Sequence, residues 1–354
     1  MNITFMIGNG FDVGLGMRSK FKDFFPIYKE NAVDKKEQIK QLSNKIEGDY
    51  ETWADFESAL GKYTESFSSD NKDLFVEQIK DFEQDFIDYL KTQEERLSFD
   101  DVEGISKLIT NALVNYYSLD NLSPFSNSVI KDLYSSRARE NHVFNFINFN
   151  YTSVLKDCLA TIKNGDVHKR SSPNGSHTDK IGKVVHVHGL KDSFPIIGVN
   201  DVEQISNKEL ANDVDFIKNI VKPIMNERIR MNYDKDASEL ISKSTIICVY
   251  GMSLGKTDKK WWDMLINWLA YDRNRHLIIF DYDKNYTSST PYDLIEKQDE
   301  LVGKLANYSN KKVSDIFILR DRIHLAIHKN IFEIDLRKNK SIKLNFQELL
   351  MANE

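Results

Sequence analysis

The chain has 354 residues, of which 41% are hydrophobic and 29% charged, so it can bury a core without disulfide or metal cross-links. Its net charge of -6 lacks the basic surplus typical of duplex-DNA-binding proteins, which argues against a nucleic-acid partner. Two cysteines exclude a four-cysteine zinc site or a disulfide framework. Because no signal-peptide pattern and no membrane-length apolar run occurs, we expect a cytoplasmic protein without membrane insertion.

The first predicted element is a short strand at residues 3–7. It runs directly into the glycine-rich turn Gly8-Asn9-Gly10-Phe11-Asp12-Val13-Gly14-Leu15-Gly16. A strand followed by glycines and a helix lets the backbone approach a phosphate, because glycine has no Cβ and free helix amides face the anion. Val13 stands where the strict dinucleotide fingerprint has its third glycine, so an ordinary Rossmann assignment is weak. Asp12 is nevertheless well placed to hold a ribose hydroxyl or a catalytic water; the alternative is a purely structural turn.

Residues 20–140 have a mostly helical pattern. It is clearest at residues 73–97, where aromatic and aliphatic side chains recur every three or four positions. Similar patterns predict helices at residues 51–67, 105–119 and 129–139. We interpret residues 20–140 as a helical insertion into an α/β nucleotide-binding domain formed by residues 1–19 and 141–354.

Beyond the insertion, strands alternate with helices. Strands are predicted at residues 143–148, 184–188, 245–250 and 277–280, and helices at residues 153–163, 207–230 and 258–270. The polar stretch 164–182 is predicted to be a mobile loop. Such alternation implies parallel pairing through βαβ crossovers, so the predicted fold class is α/β with a Rossmann-like, mostly parallel sheet. Residues 309–354 carry no readable motif, and His324 and His328 would share one face there if the stretch were helical.

Two candidate site motifs follow predicted strands, at the sheet edge where open α/β sheets bind ligands. In Asn148-Phe149-Asn150-Tyr151-Thr152, Asn150 offers a donor and an acceptor that suit a ribose hydroxyl or a water. The alternative is that Asn150 only stabilises the turn.

The second motif is His186-Val187-His188-Gly189. Its two histidines alternate along a strand, which predicts both rings on one face. His188 is the better catalytic candidate, because histidine titrates near neutral pH. A purely structural pair and a metal-ligating pair stay open, although no third ligand has a recognisable spacing.

A third strand-end segment is Gly251-Met252-Ser253-Leu254-Gly255, followed by Asp258 at the start of a predicted helix. It is similar to a serine hydrolase nucleophile elbow, in which the helix begins close to the serine. Here residues 254–256 intervene, so we predict that Ser253 contacts a phosphate or a ribose rather than acting as a nucleophile.

Taken in order, the motifs strongly resemble the bacterial abortive-infection AbiH family over about residues 3–280. The motifs that carry the resemblance are Gly8-Asn9-Gly10-Phe11-Asp12-x-x-x-Gly16, Trp53-Ala54-Asp55-Phe56-Glu57, residues 148–152, residues 186–189 with Gly198-Val199-Asn200-Asp201, and residues 251–258. The resemblance implies a role in bacterial defence against phage, with a phage trigger that the sequence does not identify.

A more distant similarity, to sirtuin-like domains, implies the chemistry. Gly8, Gly10 and Gly16 keep the glycine spacing of those domains. Asn150 stands where their catalytic asparagine lies, His188 looks like their catalytic histidine, and Ser253 lies in a loop that contacts the dinucleotide. Defence proteins of this kind hydrolyse NAD to nicotinamide and ADP-ribose. Thr152 and Asp12 depart from the usual Asp and Ser, and the absence of a four-cysteine zinc ribbon argues against protein deacylation.

The prediction is therefore an NAD glycohydrolase that needs no prosthetic group and no metal, with Asn150, His188 and Asp12 as catalytic residues. The predicted nucleotide-binding residues are Gly8, Asn9, Gly10, Phe11, Gly16, Tyr151, Thr152, Gly189, Gly251, Ser253, Leu254 and Asp258. One alternative is a non-catalytic sensor in which NAD or a related nucleotide controls a partner. Another is a metal-dependent hydrolase or nuclease that uses His186 and His188 with Asp12. The helical insertion is a candidate sensing or homo-oligomerising surface.

Overall fold

The computed structural model describes residues 1–53, 55–172, 175–282, 291–309 and 311–338. Within these ranges, seven strands form one sheet: β1 (Asn2–Ile7), β2 (Val143–Asn148), β3 (Asp166–Ser172), β4 (Gly175–His186), β5 (Ile246–Tyr250), β6 (His276–Asp281) and β7 (Ile323–Ile327). The strand order is β3-β4-β2-β1-β5-β6-β7. Neighbouring strands are parallel except for the antiparallel pair β3–β4, so the predicted mixed α/β fold with a mostly parallel sheet is confirmed.

The order of the strands sets where a site can form. Strand β1 lies in the middle, with β2 on one side and β5 on the other. The chain first builds the half of the sheet that contains β2 and β4, then crosses β1 to build the half that contains β5, β6 and β7. The carboxyl ends of β1 and β5 therefore meet where the direction of winding reverses.

Helices account for most of the remaining described chain. They are α1 (Gly10–Gly14), α2 (Phe21–Ala32), α3 (Glu37–Gly48), α4 (Tyr50–Trp53), α5 (Phe56–Tyr63), α6 (Lys72–Glu94), α7 (Val102–Asn115), α8 (Pro124–Ser136), α9 (Val154–Ala160), α10 (Val214–Ile220), α11 (Lys222–Arg228), α12 (Tyr233–Lys243), α13 (Lys259–Tyr271), α14 (Pro291–Tyr308) and α15 (Val313–Phe317). Within the described ranges, none of them combines the length and the apolar character that crossing a membrane requires.

The sheet separates two hydrophobic clusters, because successive side chains of a strand point to opposite faces. Phe5 of β1 belongs to the first cluster, which includes residues of α2, α3, α5 to α10 and the segment 332–336. Met6, the next residue, belongs to the second cluster, with residues of α12 to α15. The insertion thus shares one continuous core with the sheet; the division at residues 20 and 140 into two domains stays a prediction.

Most predicted elements between residues 3 and 280 are confirmed. Strands β1, β2, β5 and β6 match predictions, β4 begins well before the predicted residue 184, and α6 to α9 and α13 match predicted helices. The helix predicted at residues 51–67 is divided into α4 and α5, with Ala54 outside the described residues.

Two predictions are wrong, and the helix considered for the stretch with His324 and His328 is not present around His324. Residues 164–182 are not a loop, because β3 and β4 pair there as an antiparallel hairpin at the edge of the sheet. The helix predicted at residues 207–230 is two short helices, α10 and α11, separated by the extended residue Val221. His324 lies on strand β7, where it hydrogen-bonds the ring of His276 at 3.1 Å, so no helix face joins it to His328.

At the centre of the sheet, the turn after β1 and the turn after β5 pack directly against each other. The Gly8 N–H donates to the Tyr250 carbonyl at 2.9 Å, and the Gly10 N–H donates to the Gly251 carbonyl at 2.8 Å. Gly251 has a φ of 67°, and a Cβ placed on Gly10 would lie 2.6 Å from the Gly251 Cα. Three of the predicted nucleotide-binding glycines are therefore required by the contact between the two turns.

We expect Gly10→Ala to lower the free energy of unfolding by about 1–3 kcal/mol, because the new methyl group forces the two turns apart. Gly303→Ala is the matched control: its Cβ would meet no atom within 4 Å, and α14 continues through it. This control should be neutral or stabilise the protein by up to about 1 kcal/mol. Denaturant unfolding of both variants measures the difference. Unchanged stability in Gly10→Ala would show that the turns do not need this close contact.

Candidate functional site at the carboxyl ends of the strands

Asp12 is an almost completely buried acidic side chain at the strand ends. It lies on α1 with 1% of its surface exposed and accepts a hydrogen bond from the Thr152 hydroxyl at 2.6 Å. Its other oxygen, Oδ1, is buried and has no hydrogen-bond partner among the described residues. Burial raises the pKa of Asp12 to about 7, although the hydrogen bond from Thr152 opposes the rise. The carboxyl group can therefore gain or lose a proton near neutral pH.

Asn150 connects the ends of β1 and β2. Its side-chain Nδ2 donates to the Gly8 carbonyl at 3.2 Å, and its backbone N–H donates to the Asn148 Oδ1 at 3.2 Å. The side chain is buried next to Asp12, and its proximity slightly opposes the rise in the pKa of that carboxyl group. Asn150 thus stabilises the turn, as the structural alternative proposed, and it also lies beside the buried carboxyl group.

The insertion supplies a second carboxylate to this region through Glu94 at the end of α6. Glu94 accepts from the Ser153 backbone N–H at 2.8 Å and from the Ser153 hydroxyl at 3.0 Å. It also pairs with the Lys191 ammonium at 2.8 Å. The negative charge of Glu94 contributes to the raised pKa of Asp12. These contacts bind the last turn of α6 to the residues that follow β2 and β4.

His188 is buried behind Tyr151. Its ring stacks on the Tyr151 ring at 5.7 Å and packs edge-on against Phe149, and its Nδ1 is buried with no partner among the described residues. Burial, reinforced by the charges of Lys222 and Lys260, holds the pKa of His188 well below its usual value. Burial therefore favours the neutral imidazole, which can accept a hydrogen bond at its unprotonated ring nitrogen.

His186 has different surroundings. Its Nδ1 lies 3.3 Å from the Asn148 side-chain amide, and burial lowers its pKa to about 4. Within the described ranges, no group of three or more His, Cys, Asp or Glu side chains is arranged to hold a metal ion.

A second polar cluster is formed by Glu57, Lys222 and Asn200. Glu57 of α5 pairs with the buried Lys222 of α11 and accepts from the Asn200 amide at 2.8 Å. Asn200 also donates to the Thr257 carbonyl at 2.9 Å. Burial raises the pKa of the adjacent Asp258 to about 7, and the charge of Glu57 adds to the rise. Burial raises the pKa of Tyr151 well above its usual value, and the charges of Glu57, Glu83 and Asp258 add to the rise.

Several predicted nucleotide-binding residues lie in other surroundings. Asn9 is hydrogen-bonded to Ser19, and Phe11 packs in the core against Phe332 at 5.2 Å. Gly16 has a φ of 96° and approaches the side chain of Arg337.

The remaining predicted residues lie in the two later turns. Gly189 has a φ of 74°, and Leu254 packs against the second hydrophobic cluster. Ser253 is exposed, and α13 begins only at Lys259. That interval agrees with the interpretation that Ser253 is not in a nucleophile elbow.

Comparison with known families identifies the chain's relatives. A family model described as "Bacteriophage abortive infection AbiH" matches residues 4–282. The chain belongs to the AbiH family. No curated protein sequence matches it. The matched span includes every residue of the two polar clusters, from Asp12 in the first to Asp258 in the second.

Several residues of the candidate site were assigned no role in the sequence analysis. Glu57 and Asn200 stood in the motifs that carry the resemblance but were given no role, and Glu94 looked like one more charge on an amphipathic helix. Lys222 fell inside a stretch predicted as a single helix. Its neighbour Pro223 was the available signal, because proline favours the first turn of a helix and so marks a new helix start.

We expect Asp12→Asn to be more stable than the wild type at pH 8, by about 2–4 kcal/mol. The pKa of Asp12 is about 7 in the folded protein, against 3.8 for a solvated aspartate. Between about pH 4 and 7 the unfolded chain therefore loses this proton more readily than the folded protein, and the free energy of unfolding falls as pH rises through that range. The amide never ionises and avoids this loss.

The measurement is denaturant unfolding at several pH values, with the exposed Asp70→Asn as the matched control. The advantage of Asp12→Asn should shrink as pH falls toward 4. An advantage that does not change with pH would contradict the raised pKa of Asp12.

Proposed function

We propose that this AbiH protein hydrolyses NAD at the bond between ribose C1′ and nicotinamide, as its contribution to abortive infection. The observation that carries the proposal is the buried cluster of Asp12, Asn150 and Thr152 beside the junction of β1 and β5. A buried carboxylate with an uncommitted oxygen, next to an oriented amide, suits a reaction in which positive charge develops on a ribose.

The topology supports a nucleotide site of Rossmann-like type at this position. When the antiparallel edge strand β3 is left out, the remaining order is β4-β2-β1-β5-β6-β7. Numbered along the chain, these six strands have the order 3-2-1-4-5-6, which is that of doubly wound dinucleotide-binding sheets. Ligands of such sheets bind at the carboxyl ends of the strands where the winding reverses. The similarity to sirtuin-like domains rests on the sequence motifs alone.

Each side chain would have a distinct role. Asp12 Oδ1 would accept a hydrogen bond from a ribose hydroxyl or face the developing charge at C1′, an interaction that burial strengthens. Asn150, held by the Gly8 carbonyl, would orient a hydroxyl or a water with its remaining hydrogen-bonding capacity. His188, neutral at physiological pH, would accept a hydrogen bond from the attacking water or from the ribose 3′-hydroxyl.

The glycine turns place a condition on binding. The amides of Gly8 and Gly10 already donate to carbonyl groups of the β5 end, so they are not free to hold a pyrophosphate. For these glycines to contact a nucleotide, the turns after β1 and β5 have to move apart. This closed arrangement favours one alternative, a sensor in which nucleotide binding opens the turns and controls a partner without turnover.

The test is incubation of the purified protein with NAD and chromatography for nicotinamide, with and without a chelator. We expect chelator-insensitive release by the wild type and a loss of about 10²-fold or more in His188→Ala and Asn150→Ala. His168→Ala, an exposed histidine on β3, is the matched control and should retain full activity.

Wild-type rates in both site variants would contradict the assignment of these residues. Product that the chelator abolishes would favour a metal-dependent hydrolase instead. A wild type that NAD stabilises against heat but that releases no nicotinamide would be a sensor.

A further inference from the structure

The start of helix α9 takes a hydrogen-bond acceptor from the helical insertion. Helix α9 begins at Val154, with Ser153 as its N-cap residue. In a capping box, a Glu or Gln three residues after the N-cap accepts a hydrogen bond from the N-cap backbone N–H. Lys156 occupies that position in α9, and its side chain has no acceptor atom. Glu94 of α6 supplies the acceptor instead, 2.8 Å from the Ser153 backbone nitrogen.

Glu94 is a largely buried carboxylate, with 13% of its side chain exposed. It accepts hydrogen bonds from both the backbone and the hydroxyl of Ser153, and it pairs with the Lys191 ammonium at 2.8 Å. The Lys191 backbone N–H in turn donates to the Tyr151 carbonyl at 2.8 Å. The pair of Glu94 and Lys191 therefore fixes the chain at Ser153 on one side and at Tyr151 on the other.

Thr152 lies between these two anchored residues. It is 1% exposed, and its hydroxyl donates to Oδ2 of Asp12 at 2.6 Å. The other oxygen, Oδ1, is the one left without a partner among the described residues. Because a hydrogen bond weakens steeply when its donor shifts or turns, the segment that carries Thr152 has to be held in place to keep Oδ2 occupied.

We propose that Glu94 is a positioning residue of the candidate site. By fixing Ser153, it keeps the Thr152 hydroxyl on Oδ2 of Asp12 and so leaves Oδ1 available to the ribose of a bound nucleotide. The catalytic part of this inference rests on the proposed NAD hydrolysis. The site then includes a residue of the helical insertion, whereas every site residue predicted from the sequence lies outside the insertion.

The charge of Glu94 makes this role measurable at Asp12. Burial raises the pKa of Asp12 to about 7, and the negative charge of Glu94 adds to the rise. Glu94→Gln removes that charge but keeps an oxygen that can accept from Ser153. The Lys191 ammonium keeps a partner in this variant, because it also pairs with Asp192 at 2.6 Å.

The other titratable and charged groups around Asp12 are accounted for. Cys158 of α9 also interacts with Asp12, but burial raises the pKa of its thiol to about 12, so it is uncharged near neutral pH. Asp157 of α9 accepts a hydrogen bond from the N-cap hydroxyl at 2.7 Å. Arg337, which approaches the end of α1, is paired with a carboxylate two residues away. Among these groups, Glu94 is the one whose charge raises the pKa of Asp12.

The link between the two carboxyl groups is tested by a carbon NMR titration of Asp12, whose signal is identified by its loss in Asp12→Asn. We expect the midpoint to fall by about 0.5–1 pH unit in Glu94→Gln, because Asp12 no longer ionises beside a second negative charge. Glu95→Gln, an exposed neighbour, is the matched control and should leave the midpoint unchanged. An unchanged midpoint in Glu94→Gln would overturn the link.

The positioning role is tested by the same titration in Glu94→Ala, which removes the charge and the acceptor together. Once Ser153 is released, the hydrogen bond from Thr152 to Asp12 weakens, and that hydrogen bond opposes the rise in the pKa of Asp12. We therefore expect the midpoint in Glu94→Ala to lie above that in Glu94→Gln. Equal midpoints in the two variants would overturn the positioning role. Neither titration depends on whether the protein hydrolyses NAD.

The catalytic part is tested by nicotinamide release. We expect kcat to fall by about 10–10²-fold in Glu94→Ala. Glu94→Gln should retain most of the activity, with its pH profile shifted downward by the same amount as the NMR midpoint. A wild-type kcat in Glu94→Ala would overturn the catalytic part. A wild type that releases no nicotinamide overturns the proposed hydrolysis, and the two titrations then decide alone whether Glu94 positions Asp12.

Discussion

The contact between the turns after β1 and β5 is the constraint on which the site depends. Three glycines, Gly8, Gly10 and Gly251, let two backbone segments meet with no side chain between them. Because the turns meet, α1 begins immediately after β1 and carries Asp12 into the interior next to the end of β2. The same three glycines therefore serve the fold and place the candidate catalytic carboxyl group.

The helical insertion completes the site from the other direction. Its helices share one core with the sheet, and two of its carboxylates reach the strand ends. Glu94 binds Ser153 and Lys191, whereas Glu57 binds Lys222 and Asn200. Removing one partner of a buried ion pair strongly lowers the free energy of unfolding. These pairs therefore hold the insertion in place over the strand ends.

Local sequence signals predicted the parts of the fold that local physics decides. Apolar runs identified β1, β2, β5 and β6, and helical periodicity identified most of the insertion. The hairpin of β3 and β4 was missed because its polar residues resemble a loop; pairing at the sheet edge, with Arg170 bound to the buried Asp179, stabilises it. Stabilisation that comes from pairing between strands leaves no periodic signal in either strand alone.

For the site, the strand-end position of Asn150, His188 and Asp12 was predictable from the motifs, because parallel strands end at one edge. The protonation states of Asp12 and His188 were not predictable from the motifs. Burial shifts the pKa of Asp12 upward and that of His188 downward, and charges distant in sequence add to both shifts: Glu94 for Asp12, and Lys222 with Lys260 for His188. Lys222 was missed because its importance lies in its contact with Glu57, a residue distant in sequence.

The central claim, a nucleotide site at the junction of β1 and β5, is tested most directly by calorimetric titration with ADP-ribose, which is not hydrolysed. The account predicts one binding site per chain in the wild type and an affinity at least about tenfold weaker in Asn150→Ala, a loss of about 1.4 kcal/mol. Absence of binding by the wild type, or equal affinity in the variant, would contradict it.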